Sequence, residues 1–388
     1  MTNLKERIAY KTHYFDDIEE FIGEVLNKTV VPYQLEVQPG RIKGKSLCWM
    51  SCPYCYGGSS KNTDVRIEPD RYRELIRQTA NGPHGSIDKI IFAGYATDPL
   101  NYEFIDDLIH ESINNNQIFG IHTKLLKVSD RLIELITSST NRDTSYLTIS
   151  VDSGSPESYN KTHGITSNAD VYNRILNNIQ NVCESRKQQN GTLDISANYL
   201  ITDQNNENEI IEKGIQDLIR VGVDSIRLSF AQVPRGTERA DETGIPDQNN
   251  ITSIYNRIKP IVEKYNSEKT EVLLLNYDND KNFTERRTLP CFARFIYPAI
   301  SYEGYLSNCS QSAAPHFKNM SLGNLTKVDF WDAFYNYDVN NFEQMLDSQH
   351  MKMITNDCRC DRKEHTVNTT FKNYYESISL EQDLVCEA

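Results

Sequence analysis

The sequence predicts an α/β fold on a parallel sheet or partial barrel, followed by a smaller cysteine-rich region. Three observations carry this. Short β-type runs alternate with helical stretches from residue 33 to residue 230. The runs are apolar through their length, as expected of strands covered on both faces. The nine cysteines fall into two groups at opposite ends of the chain, with Cys183 alone between them.

Taken in order, a first helix over 16–26 places Ile18, Phe21, Ile22 and Val25 on one face. Strands are expected at 33–37, 89–93, 119–124, 146–151, 194–201 and 225–230. Helices fill the gaps at 70–81, 102–114, 130–138, 169–187 and 207–221. In the last of these, Ile210, Ile211, Ile215, Leu218 and Ile219 form one apolar stripe. Pro69 stands near a favoured first-turn position, and Ser129 and Asn168 have the side chains of N-caps. The polar stretch 234–250 reads as a loop or linker, followed by a helix near 251–266 and a strand at 272–276. Cys183 lies on the apolar side of its helix and reads as a buried structural thiol. In folds of this kind ligands gather at the C-terminal ends of the strands.

At 388 residues the chain has room for two or three domains. Lys and Arg number 41 against 54 Asp and Glu, a formal charge of −13, which disfavours a broad grip on nucleic acid or anionic membrane. The longest apolar runs, 90–93 and 272–275, are far too short to span a bilayer. The first residues offer no apolar stretch for a signal peptide. A cytoplasmic protein is expected, with no membrane and no nucleic-acid partner.

Cys48-Trp49-Met50-Ser51-Cys52-Pro53-Tyr54-Cys55 sets three thiols within eight residues, between a strand and a helix. An odd number of cysteines in a cytoplasmic chain points to metal binding or catalysis before disulfides. Three ligands are one short of the four that a closed zinc or iron–sulfur site takes. The shortfall leaves a metal position open to substrate or cofactor. Spacing alone also fits a zinc knuckle completed by a distant histidine.

The C-x3-C-x2-C spacing, with Tyr54 just before the third cysteine, resembles the signature of the radical S-adenosylmethionine enzymes. In that family the signature loop follows the first strand of a partial (β/α)6 barrel. The resemblance implies that Cys48, Cys52 and Cys55 bind three irons of a [4Fe–4S] cluster. The fourth iron would take the amino and carboxylate groups of S-adenosylmethionine. It implies reductive cleavage to methionine and a 5′-deoxyadenosyl radical, which abstracts a hydrogen atom from a C–H bond. The family's Gly-Gly-Glu-Pro segment corresponds here to Phe92-Ala93-Gly94-Tyr95-Ala96-Thr97-Asp98-Pro99. Gly94, Thr97 and Asp98 are thus expected near the methionine amino group, with Asp98 in place of the acid; the same residues also suit an ordinary strand-to-helix turn. Tyr54, Ser150, Asp152 and Asn198 are the other expected cofactor contacts. Thr123, Lys124, Arg227, Ser229 and Gln232 stand at strand ends that could face substrate, and Arg227 is also a candidate base.

Cys291, twelve residues, Gly304, four residues and Cys309 resemble the opening of the SPASM and shorter twitch extensions, which carry auxiliary iron–sulfur clusters. A hairpin of 296–301 and 305–308 about Glu303-Gly304 would bring the two thiols to one side. Leu322-Gly323-Asn324-Leu325 and Phe330-Trp331 are similar to the stretch after that hairpin. The resemblance implies one auxiliary [4Fe–4S] cluster on Cys291, Cys309, Cys358 and Cys360, two clusters in all. A structural zinc site fits the same four thiols. Cys386 is a candidate hydrogen-atom donor.

The expected organisation is an N-terminal extension (1–32), the partial (β/α)6 barrel (33–233), a linker and helix (234–285) and a small α+β cysteine-rich auxiliary-cluster domain (286–388). The expected reaction is radical oxidation of a small polar metabolite, with the auxiliary cluster as electron acceptor. Crosslinking or thioether formation on a ribosomal peptide is the alternative, epimerisation with a cysteine donor a third, and a non-enzymatic zinc-stabilised binding module on an α/β scaffold a fourth. Only 47 residues precede Cys48, so a fused peptide-recognition domain is not expected. A low-potential donor of the flavodoxin or ferredoxin type is implied.

Overall fold

The alternation read from the sequence is present in the computed structural model, which describes residues 17–40, 48–55, 67–95, 97–167, 169–231, 246, 248–275, 289–358, 360 and 362–386. The chain opens with α1 (Ile18–Leu26), β1 (Gln34–Val37) and α2 (Pro69–Ala80). Next come β2 (Lys89–Phe92), α3 (Ile105–Asn114), β3 (Ile118–Thr123), α4 (Asp130–Ile136), β4 (Tyr146–Ser150), α5 (Pro156–Thr162) and α6 (Val171–Gln189). Then follow β5 (Asp194–Ile201), α7 (Asn208–Val221), β6 (Ser225–Phe230), α8 (Gln248–Tyr265) and β7 (Glu271–Leu274). The last part holds β8 (Ala299–Ile300), β9 (Tyr305–Ser307), β10 (Gly323–Asn324), α9 (Phe330–Phe334), α10 (Phe342–Thr355) and α11 (Arg362–Cys386).

Two compact units result, each drawn from separated stretches: residues 1–37, 70–89 and 281–388 in one, and 38–69 and 90–280 in the other. In the second unit β2 to β7 lie side by side in chain order, and β3 to β7 pair in parallel. The strands β4 to β6 depart from the expectation of apolar residues throughout. Leu147, Ile149, Ile195, Ala197, Tyr199, Ile201, Ile226 and Leu228 are buried on one face. The other face carries the cross-strand rows Thr148–Ser196–Ser225 and Ser150–Asn198–Arg227. The Thr148 and Ser196 hydroxyls lie 3.0 Å apart, which fixes that face. Strand alternation puts helix packing on one side and leaves the other side polar.

Ser129 caps α4 as expected, its Oγ accepting from Leu132 N at 3.0 Å. Asn168 lies outside the described residues; the cap of α6 is Asp170, which accepts from Asn173 N at 3.3 Å. Gln232 and nearly all of 234–250 also lie outside them. Helix α5 went unread in the sequence, although Ser155 caps it and Pro156 opens it. Cys183 is half-buried rather than buried, and its thiol donates to the Gly222 carbonyl at 3.3 Å.

In the first unit β1 pairs in parallel with β8, and β8, β9 and β10 run antiparallel in turn. The expected hairpin forms at Gly304 (φ +90°), whose N–H donates to the Ser301 carbonyl at 2.9 Å. Helix α2 belongs here because Arg71 Nε donates to Leu325 O at 2.8 Å and Gln78 O accepts from Trp331 Nε1 at 2.6 Å. Phe295, Phe330, Phe334, Tyr337 and Phe342 form the aromatic core. No helix among the described residues is long and apolar enough to cross a membrane.

Candidate active site and cysteine centres

In the second unit the three early thiols sit half-buried on one loop and form no disulfide. Cys55 N donates to Cys52 O at 3.1 Å, closing a turn, and Ser51 N donates to His163 O at 3.0 Å, tying the loop to the end of α5. Gly164 makes that tie possible. Its φ is +60°, and a Cβ there would stand 2.6 Å from the Ser51 carbonyl oxygen. Burial raises the Cys48 thiol, and raises Cys52 to about 11, while Lys124 pulls against both shifts. Such thiols become thiolates when a metal displaces their protons.

Behind the loop Tyr54, Asp152 and His163 are buried together. Tyr54 Oη is 3.4 Å from Asp152 Oδ2 and 3.2 Å from His163 Nδ1, and Cys52 Sγ is also 3.2 Å from that nitrogen. Asp152 lies at the end of β4 in the left-handed region, φ +51°. Its Oδ1 accepts from Leu200 N at 2.8 Å, and Lys124 Nζ stands 3.8 Å from its Oδ2. Burial holds His163 well below the usual imidazole range, with Lys124 adding to the effect.

A second group forms on the turn after β2. A Cβ at Gly94 would fall 1.8 Å from Thr97 O, so the turn closes too tightly for any other residue. Asp98 accepts from Leu100 N at 2.9 Å, from Thr123 Oγ1 at 2.8 Å and from Lys124 N at 2.7 Å. Lys124 thus links the two groups, its backbone on Asp98 and its ammonium beside Asp152. The Thr97 hydroxyl oxygen is buried with no hydrogen-bond partner among the described residues. Ser150, Asn198 and Arg227 form the cross-strand row on the polar face.

Three thiols, a neighbouring cation and an orphaned buried hydroxyl form a donor set that fits an anionic iron–sulfur cluster with a polar ligand beside it. Sequence reasoning missed His163 and Tyr159, whose rings pack 4.1 Å apart between centroids. The only local signal was the Ser155-Pro156 helix start that leads to them.

In the first unit Cys291, Cys309, Cys358 and Cys360 are all buried, and none of the four forms a disulfide. Burial pushes the Cys291 thiol well up, and the charges of Cys309, Cys360 and Cys358 push it further. Arg294, three residues on from Cys291, is buried against the rings of Phe295 and Tyr337. Burial lowers its guanidinium to about 10, and the groups that favour its charge are Cys291 and Tyr337. A buried cation near Cys291 suits a centre that carries net negative charge. Among the described residues no three His, Cys, Asp or Glu side chains converge on one ion site. A four-iron cluster does not ask for that, because each thiolate binds a different iron. Cys386 belongs to α11, and its side chain lies outside the described residues.

Residues 45–213 match the Radical SAM superfamily. No curated protein matches the chain. Among solved structures, the chain is similar to SuiB from Streptococcus suis (14% identity, TM-score 0.57), over 82% of this chain and 70% of that one. SuiB bound to its precursor peptide SuiA gives 14% identity and a TM-score of 0.56 over 82% and 69%. Native anSMEcpe with bound AdoMet and Cp18Cys peptide gives 12% identity and a TM-score of 0.53 over 82% and 83%. At these identities the likeness is one of fold.

Proposed function

We propose a reaction for a chain that carries a radical SAM domain and is an enzyme of that superfamily: oxidation of an unactivated C–H bond in a peptide substrate. When bound, a [4Fe–4S] cluster and S-adenosylmethionine supply a 5′-deoxyadenosyl radical that takes the hydrogen atom. A side chain would take the remaining proton, and an auxiliary cluster would supply the acceptor for the remaining electron. Cys48, Cys52 and Cys55 would hold the first cluster, and Cys291, Cys309, Cys358 and Cys360 the second. Gly94 and Asp98 shape the turn that presents the Thr97 hydroxyl to the cofactor's amino group. Tyr54 and Asp152 back the cysteine loop, and Lys124 balances its charge. Ser150 and Asn198 face the cofactor from the polar side of the sheet, with Arg227 beyond them as a substrate anchor. The barrel corresponds to residues 33–233 and the auxiliary region to 286–388. A flavodoxin- or ferredoxin-type protein delivers the first electron.

The observation that carries this reading is the cysteine loop, pinned at Ser51 and backed by the buried Tyr54–Asp152–His163 group. The peptide reading draws on SuiB and anSMEcpe, both solved with peptides. A small polar metabolite is the second reading, favoured by the polar rows of β4 to β6. Anaerobically reconstituted protein given S-adenosylmethionine and dithionite should form 5′-deoxyadenosine and methionine, and the Cys48/Cys52/Cys55→Ala variant should form neither. Stimulation by the peptide fraction of a cell extract supports a peptide substrate. Stimulation by the metabolite fraction alone moves the assignment to the second reading.

A further inference from the structure

Asn368 is fully buried on α11 and holds three partners at once. Its Oδ1 accepts from Phe292 N at 2.8 Å and from Ala293 N at 3.0 Å. Two backbone donors on one atom fix which end of the amide is oxygen, since a nitrogen there would face both N–H groups. The Nδ2 end is then committed as donor, and it stands 3.3 Å from Cys360 Sγ. One side chain therefore spans from the residue next to Cys291 to the sulfur of Cys360, tying early and late members of the four-thiol group. Phe371, one turn further along α11, stacks on Phe292 at 5.3 Å and 18°, holding the helix face in place.

We propose that Asn368 is a positioning residue of the auxiliary centre, and that its N–H···S bond to Cys360 raises the reduction potential of the cluster bound there. The inference rests on the assignment of an auxiliary [4Fe–4S] cluster to these four cysteines. A donor on a thiolate withdraws electron density from the metal, and it stabilises the one-electron-reduced cluster more because that state carries more negative charge. Reduction adds one electron and breaks no bond. The buried Arg294 guanidinium acts in the same direction from the Cys291 side.

The test is an EPR-monitored redox titration on the full chain carrying Cys48/Cys52/Cys55→Ala, so that only the auxiliary cluster reports. In that background Asn368→Leu removes the donor, while Asn368→Asp keeps the acceptor that Phe292 and Ala293 need. Both should lower the reduced-to-oxidised ratio at a fixed potential about tenfold, equal to about 59 mV for one electron. Phe371→Leu loosens the same helix face without touching the bond, so it should lower thermal stability and leave the potential alone. If Asn368→Leu fails to fold, the Asn368→Asp titration decides. A potential equal to the parent's in a cluster-loaded Asn368 variant, or an equal fall in Phe371→Leu, overturns the proposal. A parent protein holding no iron and sulfide defeats the auxiliary-cluster assignment itself, a separate result.

Discussion

Gly164 and Asn205 show how single residues hold the site. With Ser51 O where its Cβ would go and φ at +60°, Gly164→Ala meets both a clash and a disfavoured backbone. It should cost about 1–3 kcal/mol by chemical denaturation and reduce the iron retained on the cysteine loop. Asn205 is fully buried; its amide donates to Asp152 O and Leu200 O, each at 2.8 Å, and accepts from Thr202 N at 2.7 Å. Asn205→Ala strands those groups, so a loss of about 3 kcal/mol is expected, with Asp152 displaced from Tyr54. Denaturation midpoints compared with wild type check both, and an Asn205→Ala protein of unchanged stability would refute the second.

At the scale of elements, α6 and α7 are joined through Asp217, which is buried and accepts from Tyr172 Oη at 3.1 Å, Lys213 Nζ at 2.5 Å and Arg220 at 3.1 Å. Burial works to raise this carboxyl, and the hydrogen bonds from Lys213, Arg220 and Tyr172 outweigh it, leaving it below the usual 3.8. A carboxyl depressed on folding adds stability that is complete above the unfolded value and is lost as pH falls through the folded one. Between about pH 6 and about pH 3, wild type should therefore lose more of its melting temperature than Asp217→Asn does. Equal losses would contradict this role. The elements themselves were legible because hydrophobic period and capping are local: Ser129 marked α4, and the Glu303-Gly304 turn marked the β8–β9 hairpin. His163 was not legible. It meets Cys52 across 111 residues of sequence, and a lone histidine carries no periodic signal. The grouping of α2 with the last hundred residues was hidden for the same reason, since Arg71 reaches Leu325 across 254. Asn168 looked like a cap, yet Asp170 serves, because the helix begins where the backbone N–H of Asn173 finds a carboxylate.

For the molecule as a whole, two iron–sulfur centres are expected, one in each compact unit. Wild type reconstituted anaerobically should hold about eight irons, and each of the variants Cys48/Cys52/Cys55→Ala and Cys291/Cys309/Cys358/Cys360→Ala about four. Zinc without sulfide in the second centre would replace the auxiliary cluster by a structural ion. In the first centre three thiols would leave one iron without a protein ligand. EPR of the dithionite-reduced Cys291/Cys309/Cys358/Cys360→Ala protein, recorded with and without S-adenosylmethionine, tests it most directly. A signal whose g-values move when the cofactor is added is the expected result. A signal that the cofactor leaves unchanged, or no signal at all, would contradict it.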